Sequence, residues 1–529
     1  MRLKTHIGFL ASDALEGRRT GTAGETKAVK YLSAFYKFYG TEPKGDSGTY
    51  VQAFEVNEGK EIKPGTTLMA GKESLVLNDD YWPFSFSPGG IAFSEKIPVD
   101  FIKDDSWILD SHQQGPVVFV NLKGIIDLNR NNPDFDLVQR IKEIAKQAKV
   151  GHAKVLLIYN SSEVSDNLVF SPKDIGEIAP IPIAYITSSG MKKLKLIKPC
   201  ILTGNFLLGD KTRTGYNVIA YIDNGAPTTV ILGGHLDHLG YGEDHNSRYT
   251  GPPAVHNGAD DNASGTSAVL ELARLLKQKT QNRMYLNNNY LFINFSGEEQ
   301  GLYGSKYFTD HPTIDLSTVT YMINMDMIGR LNDSSHALTI GGVGTSSSWG
   351  DILDIGAQKG FTIKVDSSGA GPSDHTSFYR KDIPVLFFFT GLHADYHKPS
   401  DDANLINYKG EGDIINFITD IIGRADDKGK LVFSKTKEQG MGTSRFKVSI
   451  GIMPDYTFGG QGVRADGIID GRAAQRSGLK TGDVIVQLGE HLVTGMETYM
   501  QALSRFNKGD NTRVIVKRGL ELLEFPVTF

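Results

Sequence analysis

Between residues 212 and 425 the chain alternates short, almost wholly apolar runs with stretches of helical period, and this alternation is its strongest constraint. The runs are Val230-Ile-Leu-Gly-Gly234, Tyr290-Leu-Phe-Ile-Asn-Phe295, Thr320-Tyr-Met-Ile-Asn324 and Ile383-Pro-Val-Leu-Phe-Phe-Phe389. Near-continuous apolar runs of strand length suit strands buried on both faces. The stretches between them, such as 264–277, suit helices that cover those faces. The expected fold is therefore α/β, a mixed, largely parallel sheet with helices on both sides.

Each run is followed by a short polar motif. After the first comes His235-Leu-Asp237, and then, past a loop, Asn257-Gly-Ala-Asp-Asp-Asn-Ala-Ser-Gly265 at the start of a helix. After the second comes Ser296-Gly-Glu-Glu-Gln-Gly301, and after the third Met325-Asp326-Met327. The fourth leads to Tyr396-His-Lys-Pro-Ser-Asp401. Ligands of open α/β sheets bind at the carboxyl ends of the strands, so these motifs are expected to converge on one edge. Of 13 histidines, those at 235, 238, 245, 256, 375, 393 and 397 fall in this region.

Imidazoles and carboxylates without thiols make a nitrogen–oxygen donor set. Zinc is the first expectation, with cobalt or manganese able to take its place. A bridging carboxylate would let a small ligand set hold two ions, and Asp261 at a helix start fits that place. The adjacent Glu298 and Glu299, outside regular structure, point in different directions; one can bind metal while the other holds a water. Composition removes the main rivals. Cys200 is the only cysteine, which excludes an intrachain disulfide, a cysteine zinc finger and an iron–sulfur cluster. Net charge −5 offers no basic surface for nucleic acid. No apolar run reaches the roughly 18 residues of a membrane span. No Gly-x-Ser-x-Gly nucleophile motif is present.

A length of 529 residues implies about two to four domains. Residues 1–58 contain a helix expected from Ala23 to Tyr39 and stopped by Gly40. Residues 60–208 are β-rich, with runs at 116–120 and 155–159 and a helix at about 134–148. Residues 426–440, charged and glycine-bearing, read as a linker. Residues 441–529 form a final β-rich unit.

The five motifs, in this order, resemble those of the co-catalytic di-zinc aminopeptidases, the group of bacterial leucyl aminopeptidases and vacuolar aminopeptidase Y. The resemblance covers about 1–58 and 212–425 and implies the zinc-exopeptidase type of fold with two zinc ions per chain. It places His235 and Asp326 on one ion and Glu299 and His397 on the other. Asp261 would bridge them, and its bond to Asn262 would be the family's cis peptide. Glu298 would be the general base, and Asp237 would orient His235. His238 fits the family's His-x-Asp-His-x-Gly and takes a supporting or structural place. His375, in Ser373-Asp-His-Thr-Ser-Phe378, is expected either to touch substrate or the transition-state oxygen, or to pack. His245, His256 and His393 read as loop residues, and Cys200 as a buried small hydrophobe. The implied activity is hydrolysis of peptides with a free N-terminus. A carboxypeptidase or dipeptidase on the same fold, a one-zinc glutaminyl cyclase and an inactive scaffold are the alternatives.

Residues 60–208 resemble a protease-associated domain, on Gly115-Pro-Val-Val-Phe-Val120 and Ile181-Pro-Ile-Ala184 among other stretches. Residues 441–529 resemble a PDZ domain of the permuted bacterial type, on Ile450-Gly-Ile-Met-Pro454 and Gly471-Arg-Ala-Ala-Gln-Arg-Ser-Gly-Leu-Lys-Thr-Gly-Asp-Val-Ile485. Such a domain would hold a peptide C-terminus on the loop Ile450, Gly451 and Ile452. Relatives of this composition are commonly exported, which implies a periplasmic or secreted protein. Met1-Arg2-Leu3-Lys4 runs straight into helix-like sequence, and the residues alone leave open a cytoplasmic chain or one trimmed of a signal peptide.

Overall fold

The computed structural model describes residues 2–97, 116–129, 135, 137–172, 177–195, 200–244, 246–249, 251–353, 360–436, 448–454, 461–468, 472–503, 505–519 and 521–529. The chain folds into two compact units. One comprises Met1–Val56, Arg213–Thr443 and Ile469–Arg472; the other comprises Asn57–Thr212, Ser444–Ile468 and Ala473–Phe529.

The first unit is built on a nine-stranded mixed sheet. Its strands are β1 (Glu42–Pro43), β2 (Val51–Ile62), β3 (Leu208–Ile222), β4 (Thr228–His235), β5 (Asn288–Phe295), β6 (Val319–Met325), β7 (Ala337–Gly341), β8 (Thr362–Val365) and β9 (Val385–Phe389). The order across the sheet is β1-β3-β5-β4-β6-β9-β7-β8, with β2 also on β3. The central run β5-β4-β6-β9 is parallel, and β3 and β7 join it antiparallel on either side. The expectation of a mixed, largely parallel sheet holds.

Both faces are covered, and the side chains divide with the two-residue period of a strand. On one face Val230 and Leu232 of β4, Tyr290 and Phe292 of β5, and Tyr321 and Ile323 of β6 form one core. Helices α1 (Arg2–Leu10), α2 (Ala23–Phe38), α3 (Gly265–Gln281) and α6 (Tyr408–Ala425) pack there through residues such as Leu10, Leu32, Leu272 and Phe417. On the other face Ile231, Leu291, Ile293 and Met322 meet Phe308 of α4 (Tyr303–Asp310) and Phe378 of α5 (His375–Tyr379). Each such aliphatic or aromatic side chain, fully buried, contributes about 1.5–3 kcal/mol, so the apolar runs have no stable alternative on a surface. Helix α2 ends one residue before the expected Tyr39, and Gly40 follows in the left-handed region.

The stretch 426–440 is not a free linker over its described part. Asp426 accepts from Asn287 and Asn288, Leu431 is buried in the first core, and the Thr436 N–H donates to the Tyr379 hydroxyl. Asp427, Lys428, Lys430 and Lys435 are exposed, while Asp426, Leu431 and Thr436 are buried. Residues 437–440 of that stretch lie outside the described ones.

In the second unit, residues 57–212 carry two four-stranded sheets. One has the order Glu73–Ser74, Thr67–Ala70, Ile201–Phe206, Ile91–Lys96; the other Tyr81–Pro83, Ile183–Ile186, Val155–Tyr159, Val117–Asn121. Leu137–Val150 covers the second sheet. Cys200 is half-buried against a core cluster here rather than fully inside it. The C-terminal part has a six-stranded sheet and its own core, drawn from Val448 to Val527. There Ile450 is buried and its carbonyl accepts from the Ala474 N–H, Gly451 has φ +88°, and Ile452 pairs with Ile468. No helix among the described residues is long and apolar enough to cross a membrane.

Candidate metal centre

The four central strands deliver their following residues to one edge of the sheet. His235 is the last residue of β4, Asp326 follows β6 directly, and Glu298 and Glu299 sit in the turn after β5. Asp261 lies in a wide, fully buried turn, Ala259–Ser264, that leads into α3, and its peptide bond to Asn262 is cis. His397 comes from the loop after β9, with φ +57°.

These side chains meet. The His235 Nε2 stands 3.3 Å from Asp261 Oδ1 and 3.4 Å from Asp326 Oδ1. The His397 Nε2 stands 3.2 Å from Asp261 Oδ2 and 3.2 Å from Glu299 Oε2. Asp261 thus turns one carboxylate oxygen to each histidine. Glu298 Oε2 lies farther off, 3.9 Å from His235 Nε2. Two donors on one tetrahedral zinc, at bonds of about 2.0–2.1 Å, stand about 3.3–3.4 Å apart, and the four short separations match that spacing. Four carboxylates face two imidazoles, so the set carries negative charge that a divalent cation would offset. The residues fit a zinc site. Two groups of three donors converge closely, His235 with Glu298 and Asp326, and His238 with Asp261 and Glu299.

The imidazoles are held by their far nitrogens. The Nδ1 of His397 is 2.9 Å from the Asn246 carbonyl, and that of His235 is 3.2 Å from the Asp237 carbonyl. A carbonyl partner there leaves Nε2 as the nitrogen free to bind metal. Asp326 keeps Oδ1 toward the site because the Ser373 hydroxyl donates to its Oδ2 at 2.7 Å. Glu299 is held in the same way, with Oε1 2.7 Å from His238 Nδ1.

The charges follow from this packing. Burial opposes charge on His235, yet Asp326 and Glu298 hold its pKa well above the ordinary value. Burial likewise opposes charge on His397, but Glu299 and Asp261 raise it to about 11. Burial would raise Asp261 and Glu299, but their imidazole partners bring Asp261 well below the usual carboxylate range and Glu299 to about 2. Glu298 is the exception: burial, with Asp326 and Glu299 nearby, pushes it well above the ordinary range although His235 opposes the shift. A carboxyl displaced upward in this way is suited to take up a proton.

Asp237 departs from expectation. Its backbone carbonyl, not its carboxylate, supports His235; the nearer carboxylate oxygen is 3.7 Å from the ring, outside hydrogen-bond reach. The carboxylate accepts instead from the Glu298 N–H at 3.2 Å and from the Thr20 hydroxyl at 3.1 Å. His375 is buried with its ring stacked on Phe387 at 4.5 Å, and burial lowers its pKa to about 3; this is the packing alternative. His256 is buried between Ser247 and Ala254. His393 does more than line a loop, since its Nε2 lies 3.1 Å from Asp260 Oδ2. His245 lies outside the described residues.

Two supports escaped the sequence reading. Asp401 accepts the N–H groups of both Asp260 and Asp261, at 2.9 and 3.0 Å, and so ties the His397 loop to the bridging turn. It is the last residue of the Tyr396–Asp401 motif, which was the available signal. Glu25 of α2 accepts from the Ser296 hydroxyl and from the N–H groups of Gly21 and Tyr216. No local motif marks it.

Known proteins are similar in sequence over part of this chain. Aminopeptidase YwaD of Bacillus subtilis is 28% identical over 278 residues, 50% of this chain and 55% of that protein. Leupeptin-inactivating enzyme 1 of Streptomyces exfoliatus is 31% identical over 192 residues, 36% of this chain and 39% of that protein. The chain thus spans about half the length, or less, of these relatives. The solved structure of BSAP, a zinc aminopeptidase from Bacillus subtilis, aligns with 83% of this chain and 96% of its own at 21% identity, with a TM-score of 0.43. Residues 217–422, the stretch that holds every side chain assembled at the sheet edge from His235 to His397, match the model of Peptidase family M28.

Proposed function

We propose that this chain is a zinc-dependent aminopeptidase that hydrolyses the N-terminal peptide bond of peptides and holds two zinc ions. The observation that carries this reading is Asp261, whose two oxygens face His235 and His397 separately, with Glu298 beside them at a longer distance. His235, Asp261 and Asp326 would hold one ion, and His397, Glu299 and Asp261 the other. Zinc bound there supplies Lewis acidity toward the scissile carbonyl and the attacking water. Glu298 accepts the proton of that water and returns it to the leaving amine; its raised pKa suits both transfers. The Glu298 N–H, donating to Asp237, fixes where that carboxyl stands. These side chains are largely buried, so the charge–charge interactions among them are stronger than in bulk water.

Chelation is expected to abolish hydrolysis of amino-acid p-nitroanilides and zinc to restore it, with two zinc ions per chain by elemental analysis. Full turnover after verified metal removal would overturn the reading. Turnover of N-blocked, C-terminally free peptides instead of free-amine anilides would make the enzyme a carboxypeptidase. We also read residues 60–208 as a protease-associated-type insertion and 441–529 as a PDZ-type unit that takes a peptide C-terminus at Ile450, Gly451 and Ile452. Free-carboxylate peptides should then bind the full chain better than their amides. Export to the periplasm or medium completes the proposal, and fractionation of the native host tests it.

A further inference from the structure

Arg18 is fully buried, and its four hydrogen bonds all go to main-chain carbonyls. Nε donates to Leu236 at 2.9 Å, Nη1 to Leu10 and Asn257 at 2.6 Å each, and Nη2 to Gly258 at 3.1 Å. Leu236 is the residue after His235, and Asn257 and Gly258 lead into the turn that carries Asp261. The main chain beside it repeats the grip. The Arg18 carbonyl accepts from the His238 N–H and the Gly17 carbonyl from the Gly240 N–H. Glu16, Gly17 and Arg18 take φ of +50°, +67° and +48°, a left-handed turn that presses onto those segments. At Gly17 a Cβ would lie 2.6 Å from the Gly240 carbonyl and 2.7 Å from that of His256.

A buried guanidinium is costly unless its donors are satisfied. Here four of its five N–H groups are used, by a planar fork that no other side chain offers. Burial lowers its pKa to about 10, with Asp237 and Asp261 acting in the opposite sense, so it stays charged at neutral pH. A cation placed for packing alone would be replaced by an apolar side chain at little cost. This one bonds the backbone of two of the three segments that bring donors to the first ion, those of His235 and Asp261.

We infer that Arg18 is a positioning residue of the metal centre: it fixes the spacing of His235 and Asp261 by bonding the carbonyls of Leu236, Asn257 and Gly258. The inference rests on the metal-site reading above. It predicts an unequal effect on the two ions. His235 depends on Arg18 more than Glu299 and His397 do, because the Leu236 carbonyl that Arg18 holds belongs to the residue after His235, whereas Glu299 and His397 come from the loops after β5 and β9.

The test titrates metal-free protein with cobalt(II), read by its visible absorption and by competition with a chelator. Wild type should bind two ions. Arg18→Met should keep its fold by circular dichroism and gel filtration, but lose at least tenfold in affinity for one ion and shift the cobalt bands. Arg18→Lys, with three donors at one point, should fall between. Any folded variant with wild-type affinities and spectrum would overturn the inference. Failure of Arg18→Met, Arg18→Lys and Arg18→Gln all to fold would also overturn it, by assigning Arg18 to the fold itself. A wild type that binds no cobalt would instead remove the metal-site reading.

Discussion

The two glutamates of the Ser296–Gly301 motif should fail differently, because only one stands at ligand spacing. Glu298→Gln keeps shape and should retain metal while kcat falls about 100- to 10,000-fold. Glu299→Gln removes an anionic donor and should lower occupancy of one ion as well as rate. Metal content and kcat on the same preparations separate the two, and near-normal activity of Glu298→Gln would refute the base assignment. Asp237 gives a second contrast. Its carbonyl holds His235 whatever the side chain, and its carboxylate holds the Glu298 N–H. Asp237→Asn should therefore lower kcat by about tenfold or more, in line with a charged hydrogen bond of roughly 1.5–3 kcal/mol, with metal affinity largely kept. A loss of zinc without a loss of kcat per bound zinc would show that the carboxylate acts on His235 after all. His-x-Asp spacing shows that these groups are close, but cannot tell which oxygen of the Asp faces the ring. For the same reason Arg18 was illegible: its partners are carbonyls, which every residue carries.

At the level of elements, the buried strands were readable because a run such as 290–295 has one stable use. Its ends were less so. Ile383 and Pro384 fall before β9, which starts at Val385, since proline has no N–H to give the ladder. The packed stretch 426–436 was unreadable because its anchors Asp426, Leu431 and Thr436 stand five residues apart, a spacing that matches neither the helix nor the strand period. The contact of α1 with α2 offers a pH test. His6 of α1 lies with Nδ1 2.8 Å from the Tyr31 hydroxyl and its ring edge-on to Phe35 at 4.7 Å. Burial lowers its pKa to about 4, with Arg2 acting in the same sense and Glu271 against it. The folded state therefore binds fewer protons than the unfolded chain between about pH 4 and the unperturbed value near 6.5. Its contribution is complete above that window and is lost as pH falls through it. The Tm difference between wild type and His6→Gln should shrink from pH 7.5 to pH 5. A difference that stays constant or grows would contradict the assignment.

At the scale of the molecule, the cores divide cleanly among the described residues. Those of the first unit run from Ile7 to Leu431, whereas that of the C-terminal part begins at Val448. A chain ending at residue 440 should keep its zinc and most of its turnover of a small aminoacyl anilide. Loss of either would show that the last unit completes the first. The first unit is also discontinuous: α1, α2 and Arg18 precede residues 57–212, and the strands they cover follow them. During synthesis at roughly 5–20 residues per second, that insertion takes on the order of ten to thirty seconds to emerge. For that interval Leu10, Leu32 and Tyr36 have no sheet to bury them and the Arg18 fork has no carbonyls from the later strands to hold. The nascent amino-terminal segment is thus an exposed apolar surface with a fixed waiting time, and shortening the insertion would shorten its exposure to aggregation and to chaperones on the ribosome.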